Sequence, residues 1–161
     1  MSGEEKIVVN FSLSREYMSE SYDQARRYGS KWLIAERIVG FTFILLGVGL
    51  FIYTNGKTVS PIVLITIGVF ELFSNQIKKY FWLRRHTQSK LMNAEVELEI
   101  TETGIDSKGP FSNGHFEWNG IEKSVRTPKG ILVWPQKGMY WYLPESVAGK
   151  ETIDFIQSKI A

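Results

Sequence analysis

The chain has 161 residues, 43% of them hydrophobic and 22% charged, a size that suits one domain of ordinary dimensions and not two large ones. The absence of cysteine excludes disulfides, thiolate metal sites and cysteine nucleophiles, and two histidines are too few for a histidine-rich metal or acid–base centre. A formal net charge of +2 is too small to point to nucleic acid.

Residues 6–13, KIVVNFSL, are rich in β-branched side chains and bounded by polar ones, which predicts a short strand. Ser14 is placed to cap a helix running to about Gly29. Met18, Tyr22, Ala25, Gly29 and Trp32 recur at spacings of four and three, a stripe that predicts a helix lying along lipid headgroups or leading into the next segment. Residues 1–37 thus read as a strand and an amphipathic juxtamembrane helix.

From residue 38 to 56 no side chain is charged, and IVGFTFILLGVGLFIY is apolar on every face. Nineteen helical residues rise about 28 Å, close to the hydrocarbon thickness of a bilayer. Residues 54–58 make a break, Pro61 suits the first turn of a new helix, and IVLITIGVF continues it, so residues 59–77 form a second candidate span. The late start of the first run, and the second run behind it, argue against an export signal. Arg26, Arg27, Lys31 and Arg37 precede the pair, whereas Lys78, Lys79, Arg84, Arg85 and Lys90 follow it and Lys57 alone occupies the loop. This asymmetry places both termini in the cytoplasm by the positive-inside rule. Gly40, Gly47 and Thr54 recur every seven residues, as do Pro61, Gly68 and Asn75. Two rows of small residues are expected to face each other within a hairpin, with a homo-oligomer through one of them as the alternative. Glu71 is the one acid in the apolar region. It is read either as a contact for an ion, proton or partner, or as a boundary residue extending toward water or Arg37.

Residues 78–93 read as a basic juxtamembrane helix, and from 94 the pattern turns to β. AEVELEIT alternates Val96, Leu98 and Ile100 with Glu95, Glu97 and Glu99. Further strands are predicted around 105–108, 115–118, 121–127, 130–135 and 139–143, with turns at Asn119-Gly120, Pro128–Gly130 and Lys137-Gly138. KETIDFIQSKI, with Ile153, Ile156 and Ile160 on one side, closes the chain as a helix. The expected fold is an α+β membrane protein: a two-helix transmembrane hairpin, and a small antiparallel, partly open barrel over 94–161 closed by its C-terminal helix. Trp118 reads as a core anchor, and His115 and Glu117 as a surface pair on one strand face. Trp134, Tyr140, Trp141 and Tyr142 form an aromatic cluster; alternation sets Tyr140 and Tyr142 opposite Trp141, so one set is expected to be exposed for contact with lipid or protein. No phosphate loop, HExxH or GxSxG element is present.

The order ELEITETGI, FEWNGIEKSVRT, ILVW, YWYLPES resembles the progression of the YcxB-like family of small bacterial membrane proteins, carried here by Ile100, Thr101, Gly104, Ile105, Trp118, Ile121, Val125, Leu143 and Pro144. The resemblance covers nearly the whole chain, and departs from the family where Glu145, Ser146 and Val147 replace a basic stretch after the late proline. It implies a pleckstrin-homology-like β-domain on the cytoplasmic face of a bacterial inner membrane, interrupted by the hairpin so that residues 6–13 pair with the later strands, and it brings no catalytic residues or cofactor. The function expected is a non-enzymatic, membrane-anchored protein presenting this domain to a protein or lipid partner. The alternative is an immunity protein that neutralises a membrane-acting bacterial toxin.

Overall fold

The computed structural model describes residues 6–30, 32–110 and 113–160. It is an α+β chain with two long apolar helices and two antiparallel sheets. Its internal contacts divide it into two units, residues 1–29 with 85–161, and residues 30–84.

In the first unit, strand β1 (Ile7–Ser12) precedes helix α1 (Arg15–Gly29), which starts as the sequence predicts: the Ser14 hydroxyl accepts the Tyr17 amide at 3.1 Å. After the second unit come β2 (Glu95–Ile100), β3 (Gly104–Lys108), β4 (Asn113–Glu117), a 3-10 turn at Trp118–Gly120, β5 (Lys123–Thr127), β6 (Gly130–Gln136) and β7 (Met139–Pro144). A one-turn helix at Glu145–Ala148, which the sequence did not reveal, precedes the closing helix Lys150–Ile160.

The strands form two sheets in chain order, β1-β2-β3-β4 and β5-β6-β7. Residue Ile7 pairs with Ile100 and Ser12 with Glu95, so the segment 6–13 does join the later strands, across more than 80 intervening residues. The register puts Val9 opposite Leu98, and these face inward with Ile100 and Ile105. The other sheet contributes Ile131, Val133 and Leu143, and the closing helix Ile153 and Ile156, to the same core. Each of these last five is fully buried. The chain leaves the first sheet through the 3-10 turn, where Trp118 donates its indole N–H to the Thr101 carbonyl at 3.1 Å and packs edge-on against Phe155. Trp118 is thus the anchor that the sequence suggests.

The structure gives α1 a packing partner that its spacing does not name. The helix does not belong with the apolar segments; it packs on the three-stranded sheet. The face used is Tyr17, Met18, Ser21, Ala25 and Tyr28, with Gly29 against Trp134; it shares Met18, Ala25 and Gly29 with the stripe chosen by spacing and is widened toward Tyr17 and Tyr28. The reason lies in β6, whose core is apolar at five consecutive positions, Ile131 to Pro135, and needs cover on both faces.

The second unit holds the two apolar helices, α2 (Trp32–Tyr53, 22 residues) and α3 (Ser60–Thr87, 28 residues). Each is long and apolar enough to cross a bilayer. Their ends differ from the expected bounds. The first begins six residues before 38 and stops at Tyr53, because Asn55 and Gly56 adopt left-handed φ values of 49° and 69° and the Gly56 amide closes on the Phe51 carbonyl at 3.0 Å. The second runs without a break through residues 78–87, where a separate juxtamembrane helix was expected, since neither glycine nor proline interrupts it after Gly68.

The two small-residue rows meet, as the hairpin reading expects. A methyl group on Gly68 would lie 2.7 Å from the Gly40 carbonyl oxygen, and one on Gly47 would lie 2.9 Å from that of Pro61. Both rows are therefore occupied by each other. Gly68→Leu should weaken the helix pair by about 1–3 kcal/mol through overpacking. Gly49→Ala, whose methyl group enters open space, should instead be neutral or stabilising by about 0.5–1 kcal/mol. Denaturation of the full chain in detergent, followed by helical circular dichroism, measures both.

Candidate interaction surfaces

The aromatic cluster is distributed over two faces of one sheet. Alternation along β6 and β7 sends Ile131, Val133, Trp141 and Leu143 to the main core and Leu132, Trp134, Tyr140 and Tyr142 toward α1. Neither set is exposed: Tyr142 is 0% and Trp134 9% accessible, while Tyr140 and Trp141 are half-buried. The expected aromatic contact surface is corrected on this point, because α1 covers the side that would have faced solvent.

The α1 side of this sheet carries a polar network inside the aromatic packing. Tyr17 donates to the Tyr142 carbonyl at 2.6 Å, and the Tyr142 hydroxyl donates to Glu20 at 2.7 Å and lies 3.3 Å from the Lys129 carbonyl. Lys129 approaches the same carboxylate at 3.8 Å. Burial raises the pKa of both phenols, and for Tyr142 the neighbouring Glu20 raises it further. Both remain neutral donors at any physiological pH. Burial also raises that of Tyr140, which hydrogen-bonds Ser21. At the end of α1 the Trp134 ring fills the space beside Gly29, where a methyl group would come within 2.7 Å of it. Lys123 stands 4.4 Å above the same ring.

The outward face of the four-stranded sheet is acidic. Glu97 and Glu99 on β2 stand opposite Lys108 and Asp106 on β3, and Asp106 stands opposite His115 on β4. Lys6 meets Glu99 at 2.8 Å, and Lys108 bridges Glu99 and Glu97. His115 Nδ1 lies 2.7 Å from Asp106; the sequence pairing of His115 with Glu117 missed this partner, which only the strand register brings into reach. Among the described residues no group of three or more His, Asp or Glu side chains is arranged to hold a metal ion.

In the second unit, Glu71 lies at the polar end of the helix pair. With Glu36, Arg37, Ser74 and Asn75 it lines a cleft of ≈ 60 Å³, room for a water molecule or two. Among the described residues no ion pair joins Glu71 to Arg37; a salt bridge between the helices runs from Lys78 to Glu36 at 3.4 Å. Lys79 and Arg84 follow on α3, and Arg85 begins the return to the first unit. Arg26 and Arg27 occupy the last turn of α1, with Arg27 5.6 Å over the Tyr28 ring. Lys31, the remaining basic residue of that group, lies outside the described residues.

No family model, curated protein or solved structure matches this chain.

Two outcomes test this geometry. Tyr142→Phe removes a buried donor to Glu20 and should cost about 1–2 kcal/mol, with faster amide exchange in α1 than in the four-stranded sheet. Lys108 and Lys6 hold the Glu99 carboxyl down to about 2, against its ordinary 4.5. A carboxyl so depressed supports the fold above about pH 4.5, and that support fades as pH falls toward about 2. The thermal midpoint of Glu99→Gln should therefore fall less than that of the parent across this interval.

Proposed function

We propose that the chain is a non-enzymatic protein anchored by its helix pair in a bacterial inner membrane, with both termini cytoplasmic, where its β-unit is held for a protein or lipid partner. The observation that carries this reading is the exterior of the pair. Only 11% of the first apolar window and 17% of the second are buried, whereas the core helix of a water-soluble protein is mostly covered. Phe41, Leu45, Ile52, Ile62, Phe70 and Phe73, on many sides of the two helices, are each more than half exposed. At about 1 kcal/mol for each such half-exposed side chain, leaving the whole surface in water would cost on the order of 10–20 kcal/mol, as much as the entire stability of a domain. Lipid removes that cost. The polar groups within the apolar windows agree: the hydroxyls of Thr42 and Thr66 each donate to the carbonyl four residues back, at 2.8 Å, and present no unmet donor to hydrocarbon.

The connectivity supports the orientation independently of charge. The residues before and after the pair belong to one folded unit, so both ends of an inserted hairpin would lie on one side of the bilayer. The excess of Lys and Arg beside these ends makes that side the cytoplasm. Two antiparallel sheets of four and three strands in chain order, followed by a helix that completes their shared core, support the pleckstrin-homology-like reading. Tethering such a unit raises its effective concentration toward membrane partners without any new contact.

The native chain contains no cysteine, so single-cysteine variants report topology directly. Lys57→Cys should react with an impermeant maleimide on intact cells, and Lys137→Cys only after the inner membrane is opened. The full chain should stay with membranes through alkaline carbonate washing. Recovery from the aqueous fraction without detergent, or labelling of the Lys57→Cys variant only from the cytoplasmic side, would overturn the reading.

A further inference from the structure

We infer that the end of the β-unit formed by the α1 C-terminus, β5 and the β6–β7 turn is a docking surface for anionic phospholipid headgroups; this rests on the membrane reading above. Three separate parts of the chain contribute cations to this end of the unit. Arg26 and Arg27 come from the last turn of α1. Lys123 stands opposite Trp134 in the β5–β6 register, with its ammonium over the indole ring. Lys137 occupies the turn between Gln136 and Met139, and is exposed together with both of them. The rings beneath are Trp134 and Tyr140, 6.1 Å apart, with Tyr28 beside Arg27.

The acidic residues nearest in sequence leave an excess of positive charge. Glu122 precedes Lys123 just outside β5 and offsets one cation at most, while Arg126 pairs with Asp154 on the closing helix. Asp23 is one turn back along α1 and offsets one cation at most, against the three of Arg27, Lys123 and Lys137 with Arg26 beside them. The surface is therefore cationic, with Lys123 and Arg27 lying over rings that are themselves mostly buried.

Chain length lets this surface reach the bilayer. The first apolar helix starts at Trp32, three residues beyond Gly29, and Gly29 is in contact range of Trp134. Three residues reach about 11 Å at most, about one Debye length at 0.1 M salt. The linker thus permits a headgroup layer around an inserted α2 to come within electrostatic range of Arg27. The acidic strand face with Glu97 and Glu99 turns away from the same core on the opposite sheet, so an anionic surface would favour one side of the unit over the other.

The test uses the full chain carrying Gln136→Cys labelled with a fluorophore, reconstituted into vesicles that contain a headgroup quencher. The vesicles are phosphatidylcholine alone or phosphatidylcholine with phosphatidylglycerol. Quenching should rise about twofold or more in the anionic vesicles and return to the neutral level in about 0.5 M salt, where the Debye length falls to about 4 Å. Combined Arg27→Gln, Lys123→Gln and Lys137→Gln substitutions should abolish the rise; if that variant is misfolded by circular dichroism, Lys137→Gln alone should reduce it. Equal quenching in both vesicles, or a rise unaffected by salt, would overturn the inference while the membrane reading stood. Failure of the labelled chain to incorporate into either vesicle would sink the membrane reading itself.

Discussion

Strand β6 needs cover on both of its faces, and the architecture follows from how it obtains it. Ile131 and Val133 on one side are met by the four-stranded sheet and the closing helix. Leu132 and Trp134 on the other have no sheet to meet, and α1 supplies Tyr17, Ala25 and Tyr28. This second contact binds a segment from the start of the chain to strands more than a hundred residues later. With β1 hydrogen-bonded to β2, it makes residues 30–84 an insertion into a folded unit. An N-terminal anchor followed by a separate domain would leave the two ends of the helix pair unrelated; an insertion ties them together.

The elements whose pattern is local were legible in the sequence. The alternation of AEVELEIT gives β2 with its acidic outer face, and Ser14 caps α1 where its side chain can reach the Tyr17 amide. The seven-residue rows of small residues marked the faces on which α2 and α3 meet, because close approach of two helices requires small side chains at the same recurring phase. What failed to be legible depends on distant partners. The stripe on α1 was legible in part: Met18, Ala25 and Gly29 lie on the packed face, and only the sheet beneath adds Tyr17 and Tyr28 to it. The aromatic run of β7 was read as half solvent-facing because alternation is usually a sign of one buried side. In β6 the unbroken apolar run was the available sign that both sides are covered. The Asp106 partner of His115 is set by register between β3 and β4, which no single strand encodes.

The same distinction separates the two kinds of polar group in the molecule. On the outer face of the four-stranded sheet, Glu99 is held by Lys6 and Lys108, and the charges largely satisfy one another. At the end of the helix pair, Glu71 and Arg37 line a small cleft together without an ion pair between them. An acid deep in hydrocarbon with neither partner nor water would be expensive. A polar cleft shared with Ser74 and Asn75 offers it hydration. The polar side chains of both helices gather at this end, and the hydroxyls of Thr42 and Thr66 bond to their own backbone.

Charge on the β-unit is arranged by the same topology. The core lies between the two sheets, so the outward faces of those sheets look in opposite directions. One bears the glutamates of β2; the other is roofed by α1, whose last turn brings Arg26 and Arg27 to the end of the sheet that carries Lys123. A net charge of only +2 thus conceals a separation of sign across the unit, and a separation of that kind exerts torque in a field even when the total charge is small. On the proposed arrangement the bilayer supplies both the anchor and the field. The aqueous face left toward the cytoplasm is then the acidic one, and a partner recruited there would be selected for complementary positive charge.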